Sequence, residues 1–386
     1  MIRVAIDCTG LFPGKGGSGG GIWSYSKNLI LNLDQLLQKS SDIDVICFVN
    51  RRFEIPVRNI RLVKIPFASS SIAFRVLWIH LVLPLVCLTL DVSLLHKLAT
   101  EVPLFSSVPL AVTIHDFMAE FYEAHPLLAE KSGKLRLIKT WYFRYMARKA
   151  LHESRSIFVP TQVIKDEAVT LYGADPSKVI VTYEGVEDGL QHACEKEKQS
   201  KDILYVAGFY PHKGHEAAID AVSYLCRNYD SSVRLFLRGN VPDLIYYEQM
   251  REYARTTRFP KNFFFVEYSS EASLDNIYGR GSVLLLLSEY EGFGLPLLEG
   301  QRCGLPVVCS DIPVFREILR DSAIFVDPKS VEQVARSLRT LLEDGELRRM
   351  LIQKGFENSA RFSWETATGL VLSAYTSLTN STVHKA

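Results

Sequence analysis

Along the chain, short apolar runs without polar alternation are separated by longer stretches in which apolar residues recur at helical spacing. In the first half the runs at 3–8, 44–49, 91–96, 110–115, 156–160 and 178–183 predict strands. In the second half those at 203–207, 233–237, 263–266, 283–287 and the run opening at Val307 and Val308 do the same. An apolar run with no alternation suits a strand covered on both faces, as in a parallel sheet. Helices are predicted at about 22–37, from His215, up to Leu342 after Asp327 and Pro328, and at 364–378. Strand and helix alternate throughout, which is βαβ organisation and an α/β fold in two similar halves. The polar run 184–202, EGVEDGLQHACEKEKQSKD, is the expected linker between them.

The stretch 283–311, VLLLLSEYEGFGLPLLEGQRCGLPVVCSD, compresses a strand, an acidic glycine turn, a helix and a second strand into one unit. Glu289, Glu291, Gly292 and Gly294 form the turn, Pro296 provides a first helical position, and Gly304 is the expected C-terminal cap. Ligands of open α/β sheets bind at the carboxyl ends of strands, where helix N-termini offer N–H groups to anions. Glu291 and Glu299, eight positions apart, bracket this helix start. A phosphate resting on the amides near Phe293, Gly294 and Leu295 would leave both acids to accept hydrogen bonds from hydroxyls on either side of it. That is the shape of a nucleotide sugar. Acids that only favour the helix dipole are the competing reading.

At 386 residues, two domains are expected. With 47% hydrophobic and 23% charged residues the chain has ample core, and a net charge of +1 gives no overall pull toward nucleic acid. Seven cysteines, without a C-x-x-C pair, predict neither a disulfide framework nor a zinc site and suit a reducing cytosol. The opening MIRVAIDC runs straight into a strand, so no secretory signal is expected. Residues 76–90 are the longest uncharged run, but 15 residues containing His80 and Pro84 fall short of a membrane span. The expected location is cytoplasmic. Residues 131–155 modify this, because Lys131, Lys134, Arg136, Lys139, Arg144, Arg148, Lys149 and Arg155 face the single acid Glu153, with Trp141, Tyr142, Tyr145 and Met146 at helical spacing. A basic aromatic helix suits the surface of an anionic membrane, here its inner face; a core-facing helix with a solvated basic side has the same pattern, and both readings stay open.

Gly14, Gly16 and Gly19 have nominal G-x-G-x-x-G spacing, so an NAD- or NADP-dependent oxidoreductase has to be weighed. Five residues, Thr9 to Pro13, separate the strand from the first glycine, and the second strand ends in VNRR where an NAD site wants an acid; Arg51 and Arg52 suit only NADP. Gly16 to Gly21, with Gly20 and Gly21 next to the helix, fit better as a loop over a cleft, where flexible backbone meets a substrate. His96 and His115 each end a predicted strand and so face such a cleft; a satisfied structural histidine is the alternative at either position. Lys213 lies beside His212 in the turn 208–214, where a lysine next to a glycine is a natural phosphate ligand.

Taken together, these residues resemble family 4 of the retaining glycosyltransferases, which have the GT-B fold, two Rossmann-like domains facing each other across a cleft. GGGIWSYSKNLILNL is similar to the family's N-terminal glycine loop and helix, TIHDF to its cleft histidine, and YVAGFYPHKGHEAAIDA to its phosphate-binding turn. SEYEGFGLPLLEGQRCGLPVVCSDIPVFREI resembles the E-x7-E signature, and FSWETA the start of a terminal helix that crosses back to the first domain. The resemblance implies an acceptor-side domain at 1–188, a donor domain at 189–364, and a crossing helix with tail at 365–386. It implies that Glu291 contacts hydroxyls of the donor sugar and that the amides of Gly292, Phe293, Gly294 and Leu295 hold sugar and phosphate. Glu299 would bind the ribose, Lys213 would neutralise the diphosphate, and His115 would line the reaction centre. Family members commonly carry an arginine in the 208–212 turn; here His212 stands in that turn, with Arg238 a further candidate cation.

The expected activity is retaining transfer of a hexosyl unit, mannose from GDP-mannose, to a saccharide or lipid-linked acceptor, with no metal or other cofactor. A UDP-sugar-dependent transferase of the same fold, a nucleotide-sugar epimerase, an NADP-dependent oxidoreductase and a non-catalytic sugar-binding subunit are the alternatives.

Overall fold

The computed structural model describes residues 2–11, 20–39, 42–51, 53–65, 72–106, 108–130, 136–186, 200–267, 277–279 and 281–383. Within them, the first half builds a seven-stranded sheet from β1 (Ile2–Cys8), β2 (Ile43–Asn50), β3 (Ile60–Ile65), β4 (Leu94–Lys97), β5 (Leu110–Thr113), β6 (Ser156–Val159) and β7 (Val179–Val181), in the order β3-β2-β1-β4-β5-β6-β7. The second half builds a six-stranded sheet from β8 (Asp202–Val206), β9 (Arg234–Gly239), β10 (Phe263–Glu267), β11 (Val283–Leu286), β12 (Val307–Ser310) and β13 (Ile324–Val326), in the order β10-β9-β8-β11-β12-β13. Every strand pair is parallel. The order reverses between β1 and β4 in the first sheet and between β8 and β11 in the second, so each half has its own switch-point crevice at the carboxyl ends of its strands.

The absence of polar alternation in the strands follows from coverage on both faces. Val4, Ile6 and Cys8 of β1 pack in one core with Leu29, Ile30 and Leu33 of the helix Gly21–Leu37, while Ala5 packs in another with Ile46, Phe48, Trp78 and Leu83. Both faces of one strand are therefore covered, and apolar side chains of either parity are buried, with Asp7 the polar residue of β1 that is buried by pairing with Lys97. The two strands outside the predicted set are of another kind: β3 sits at the sheet edge with Arg61 and Lys64 exposed, and β13 has three residues.

The position of His96 needs correction. The run 91–96 was expected to be a strand closing on His96, but β4 begins at Leu94 and runs through Lys97, so His96 lies inside it. The cause is the preceding helix end: Asp91 takes a left-handed conformation at φ 52° and Val92 N–H donates to Cys87 O at 2.9 Å. His96 is fully buried, its Nδ1 2.5 Å from the Tyr375 hydroxyl and its Nε2 2.9 Å from Thr113 Oγ1. Burial, then His115 and Lys97, push its pKa down to about 3, which makes it a neutral structural residue. Tyr375 belongs to the helix Trp364–Val383, which thereby packs on the first sheet, and Trp364 at its start lies edge-on to Tyr25.

The uncharged run near 76–90 becomes helix Ile72–Leu77, a π turn at Trp78–Val82 and helix Leu83–Thr89. Trp78, Ile79, Leu83 and Cys87 point inward, whereas Phe74, Leu77, Leu81, Leu85 and Leu88, at intervals of three and four, are exposed. The basic stretch forms the helix Arg136–Glu153, which buries Met146, Ala147, Ala150 and Leu151; Arg144 pairs with Glu120 and Glu123, and Lys149 with Glu153. Residues 131–135 lie outside the described residues. Among the described residues no helix is long and apolar enough to cross a membrane.

Candidate active site

The second sheet's switch point lies between β8 and β11, and the turns that follow these two strands are joined by shared polar groups. Tyr205, buried in β8, donates its hydroxyl to Lys213 O and accepts from Leu287 N–H at 3.0 Å. Glu289 N–H donates to His212 O at 2.8 Å. Gly214 closes the first turn at φ +69°, and a Cβ there would run into the carbonyl of Leu287, so both the conformation and the approach require glycine. These links bring Lys213 Nζ within 2.6 Å of Glu291 Oε1, which also accepts from Ser288 Oγ at 2.9 Å. With side chains only 17% and 13% exposed, the pair interacts through a medium far less screening than water.

The helix Leu295–Arg302 starts beside this pair. Gly294 is its N-cap at φ 104°, Leu295 is its first residue, and Pro296 falls one position later than expected. Glu299 accepts a hydrogen bond from the hydroxyl of fully buried Tyr278 at 2.7 Å. Burial, and then the negative charge of Glu299, push the Tyr278 pKa well above its usual value; Arg238 lies close enough to oppose that shift. The phenol therefore stays protonated and holds the carboxylate in one orientation. Arg238 is thus on the Glu299 side of the site.

The first domain supplies the facing wall. His115 follows β5 by two residues, and its Nε2 lies 3.1 Å from Leu98 O, an atom that only accepts. Its Nδ1 faces Glu184 Oε1 at 3.8 Å, and the ring of Tyr25 meets it edge-on with centroids 4.8 Å apart. Glu184 is buried, and desolvation raises its pKa against the lowering effect of His115. Asp116 is likewise raised by burial, with His115 and Lys213 acting against the shift and Glu291 adding to it. Gly292 closes the cleft at this point: a Cβ on it would collide with the carbonyl of His115. Gly20 caps the helix that Gly21 opens, and a Cβ on Gly20 would come within 3.9 Å of Asn240 Nδ2 in the second domain. Gly14, Gly16 and Gly19 lie outside the described residues.

Glu291, Lys213, Gly292, Gly294 and Glu299 thus lie around one helix start with His115 opposite, Phe293 and Leu295 of the same segment are buried, and Gly20 stands where the two domains approach. His212 is placed there too, but not as a cation. It is buried, with Nδ1 2.7 Å from the Tyr122 hydroxyl, and burial first, then Lys213 and His215, hold its pKa well below the usual histidine value. A second positive charge on this turn therefore does not come from His212. Sequence reasoning missed Glu184, placed in the predicted linker, along with Asp116, Tyr205 and Tyr290. Asp116 stands next to His115 in TIHDF, and that adjacency was an available signal; the other three are recognisable only once distant segments meet. Among the described residues no group of three or more His, Cys, Asp or Glu side chains could hold a metal ion.

Two family models match the chain: "Glycosyltransferase Family 4" over residues 19–189 and "Glycosyl transferases group 1" over residues 190–358. The chain belongs to the family 4 glycosyltransferases. O-antigen chain mannosyltransferase B of Escherichia coli is 32% identical over 111 residues, 29% of this chain and 29% of that protein. O-antigen chain mannosyltransferase RfbU of Salmonella typhimurium is 24% identical over 233 residues, 60% of this chain and 61% of that protein. The chain therefore spans less than two thirds of either relative. Among solved structures, Anabaena HepE in complex with UDP and glucose superposes with a TM-score of 0.72 at 14% identity, covering 98% of this chain and 100% of that one. The two facing Rossmann-like units of this family 4 member are the GT-B fold.

Proposed function

We propose that the protein is a retaining hexosyltransferase that moves mannose from GDP-mannose onto a saccharide or lipid-linked saccharide acceptor. The observation that carries this reading is the Lys213–Glu291 pair at the β8/β11 switch point, with Glu299 held by Tyr278 beside the same helix start. In this reading the donor diphosphate takes Lys213 and the amides around Gly294 and Leu295, releasing Glu291 to hydroxyls of the hexose, while Glu299 accepts from the ribose. As the bond from the anomeric carbon to the diphosphate breaks, negative charge grows on the leaving oxygen, which takes the proton of the acceptor hydroxyl as the new carbon–oxygen bond forms. A preorganised ammonium and helix amides stabilise that charge more than they stabilise the bound donor. His115 faces the sugar from the other domain, and attack by the acceptor hydroxyl on the face that the diphosphate leaves keeps the anomeric configuration. Protein cations and amides meet the developing charge, and no metal or other cofactor enters the proposal.

Mannose is supported by what the two O-antigen relatives are named for, and the UDP and glucose of HepE favour a UDP-hexose donor as the second reading. A thermal-shift panel of nucleotides and sugar nucleotides separates them, since a ligand that binds only the folded protein raises Tm. GDP and GDP-mannose are expected to give the largest shifts. Larger shifts with UDP and UDP-glucose reassign the donor, and no shift with any nucleotide removes the reading.

We further place the acceptor at a membrane surface. The exposed stripe Phe74, Leu77, Leu81, Leu85 and Leu88 is a contiguous apolar face of the kind that marks an interaction site. It borders a groove of about 850 Å³ lined by Pro84, Leu104, Phe105, Ser106, Tyr145, Lys149 and Glu153, with Phe105 81% exposed. In a flotation assay, anionic vesicles should carry the wild-type protein and leave the Leu81→Asp, Leu85→Asp double variant behind. Failure of the vesicles to recruit wild type removes the membrane from the account.

A further inference from the structure

The turn that carries Glu291 makes a set of contacts that binding a donor does not require. Tyr290 reaches out of its own domain and packs against the core of the first. Its ring stacks on Phe121 of the helix Met118–Ala124, centroids 5.0 Å apart and planes 17° from parallel. Its hydroxyl accepts from Phe117 N–H at 2.9 Å and donates to Glu167 Oε2 at 2.7 Å, on the helix Gln162–Tyr172. Two residues on, Gly292 O accepts from Thr161 Oγ1 at 3.2 Å, and the carbonyl of His115 leaves no room for a Cβ on Gly292. Tyr290 and Gly292 are thus held by the first domain, while Glu291 between them is held by Lys213 and Ser288 of the second. A phenylalanine would suffice to fill the space. The hydroxyl adds direction, because its donor and acceptor capacities are taken by two different elements of the first domain.

We propose that Tyr290 is a positioning residue that completes the donor-sugar pocket only when the two domains are docked. The inference rests on the donor-site reading above and deepens it by naming how that site senses closure of the cleft. Because 290, 291 and 292 are consecutive, opening the cleft must either break the Tyr290 and Gly292 contacts or pull Glu291 away from Lys213. Glu299, Tyr278 and the helix start at Leu295 lie wholly within the second domain and are untouched by that choice. Nucleotide recognition therefore survives an open cleft, whereas Glu291 is fixed from both domains at once only in the closed one.

The test is Tyr290→Phe in the full chain, which keeps the stack on Phe121 and removes both hydrogen bonds. Three readouts are taken: affinity for GDP and UDP, kcat and donor KM, and hydrogen exchange of the Phe117 amide. The expected result is nucleoside diphosphate affinity within about twofold of wild type, kcat lowered about tenfold with a raised donor KM, and faster exchange at Phe117. Glu167→Gln, whose amide oxygen still accepts from the Tyr290 hydroxyl, should behave as wild type. Wild-type kcat and KM in Tyr290→Phe overturn the proposal, as does loss of nucleotide binding in parallel with turnover, which would show general collapse of the turn. The Phe117 exchange reads the latch without any sugar transfer. If the wild-type protein transfers no sugar, the transferase reading fails alone, while unchanged exchange in Tyr290→Phe overturns the latch itself.

Discussion

Lys213 and His212 are neighbours in one turn, yet only one of them brings charge to the site. The ammonium of Lys213 meets Glu291 at 2.6 Å, whereas His212 is packed under Tyr122 with its pKa held well below the histidine reference by burial and by Lys213 itself. A base with so low a pKa takes up no proton between pH 8 and pH 6, so it adds nothing that varies with pH in that range. The ratio kcat/KM measured from pH 6 to 8 should accordingly have the same shape in His212→Gln as in wild type. An acid-side rise that wild type shows and the variant lacks would return the charge to His212. The residue types at this site were legible in the sequence, because a lysine in a glycine turn and two acids flanking a helix start are local patterns. Charge state was not, since it depends on burial by segments far away. Glu184 shows the same limit: it stands at the head of a polar run and was read as linker, yet it is buried against His115.

Elements hold these residues through a few close approaches. Gly214 and Gly173 both take left-handed conformations, at φ +69° and +65°, but a Cβ on Gly173 would meet nothing within 4 Å while one on Gly214 would strike Leu287 O. Gly173→Ala should therefore cost only the left-handed penalty of about 1–2 kcal/mol. Gly214→Ala should cost more and also lower donor affinity, because Tyr205 pins the turn to β11 and leaves it no room to shift. Denaturation midpoints of the two variants measure the difference, and equal losses would contradict the tight approach. Strand and helix identities were readable from apolar runs, since both sheets are parallel and covered on two faces. The start of β4 was not, because a helix-ending turn at Asp91 overrides an apolar pattern that continues through it. The exposed stripe from Phe74 to Leu88 shows a further limit. Its residues are as apolar as those that face the core, and only the packing of Trp78, Ile79, Leu83 and Cys87 reveals which side is left outside.

In the whole molecule, the two sheets face each other, and the described contacts between the two halves include those of the turn that carries Glu291 and others away from it. Tyr290 reaches Phe117, Phe121 and Glu167, Glu317 accepts from Gln162 and Val163 N–H at 2.7 and 3.0 Å, and Tyr375 of the last helix returns to His96. Sequence pattern supplied two α/β units, and the family resemblance supplied their facing arrangement; residues 187–199 of the expected linker lie outside the described residues. Neither contained the cross-domain hydrogen bonds, which join residues more than a hundred positions apart. All of these contacts matter to function only if the cleft they close is where a sugar leaves its nucleotide. Transfer of labelled sugar by Glu291→Ala and Lys213→Ala, with the donor that most stabilises the wild-type protein and with both variants folded by circular dichroism, decides this. Each variant should lose at least about a hundredfold in turnover; wild-type rates in both would contradict the account.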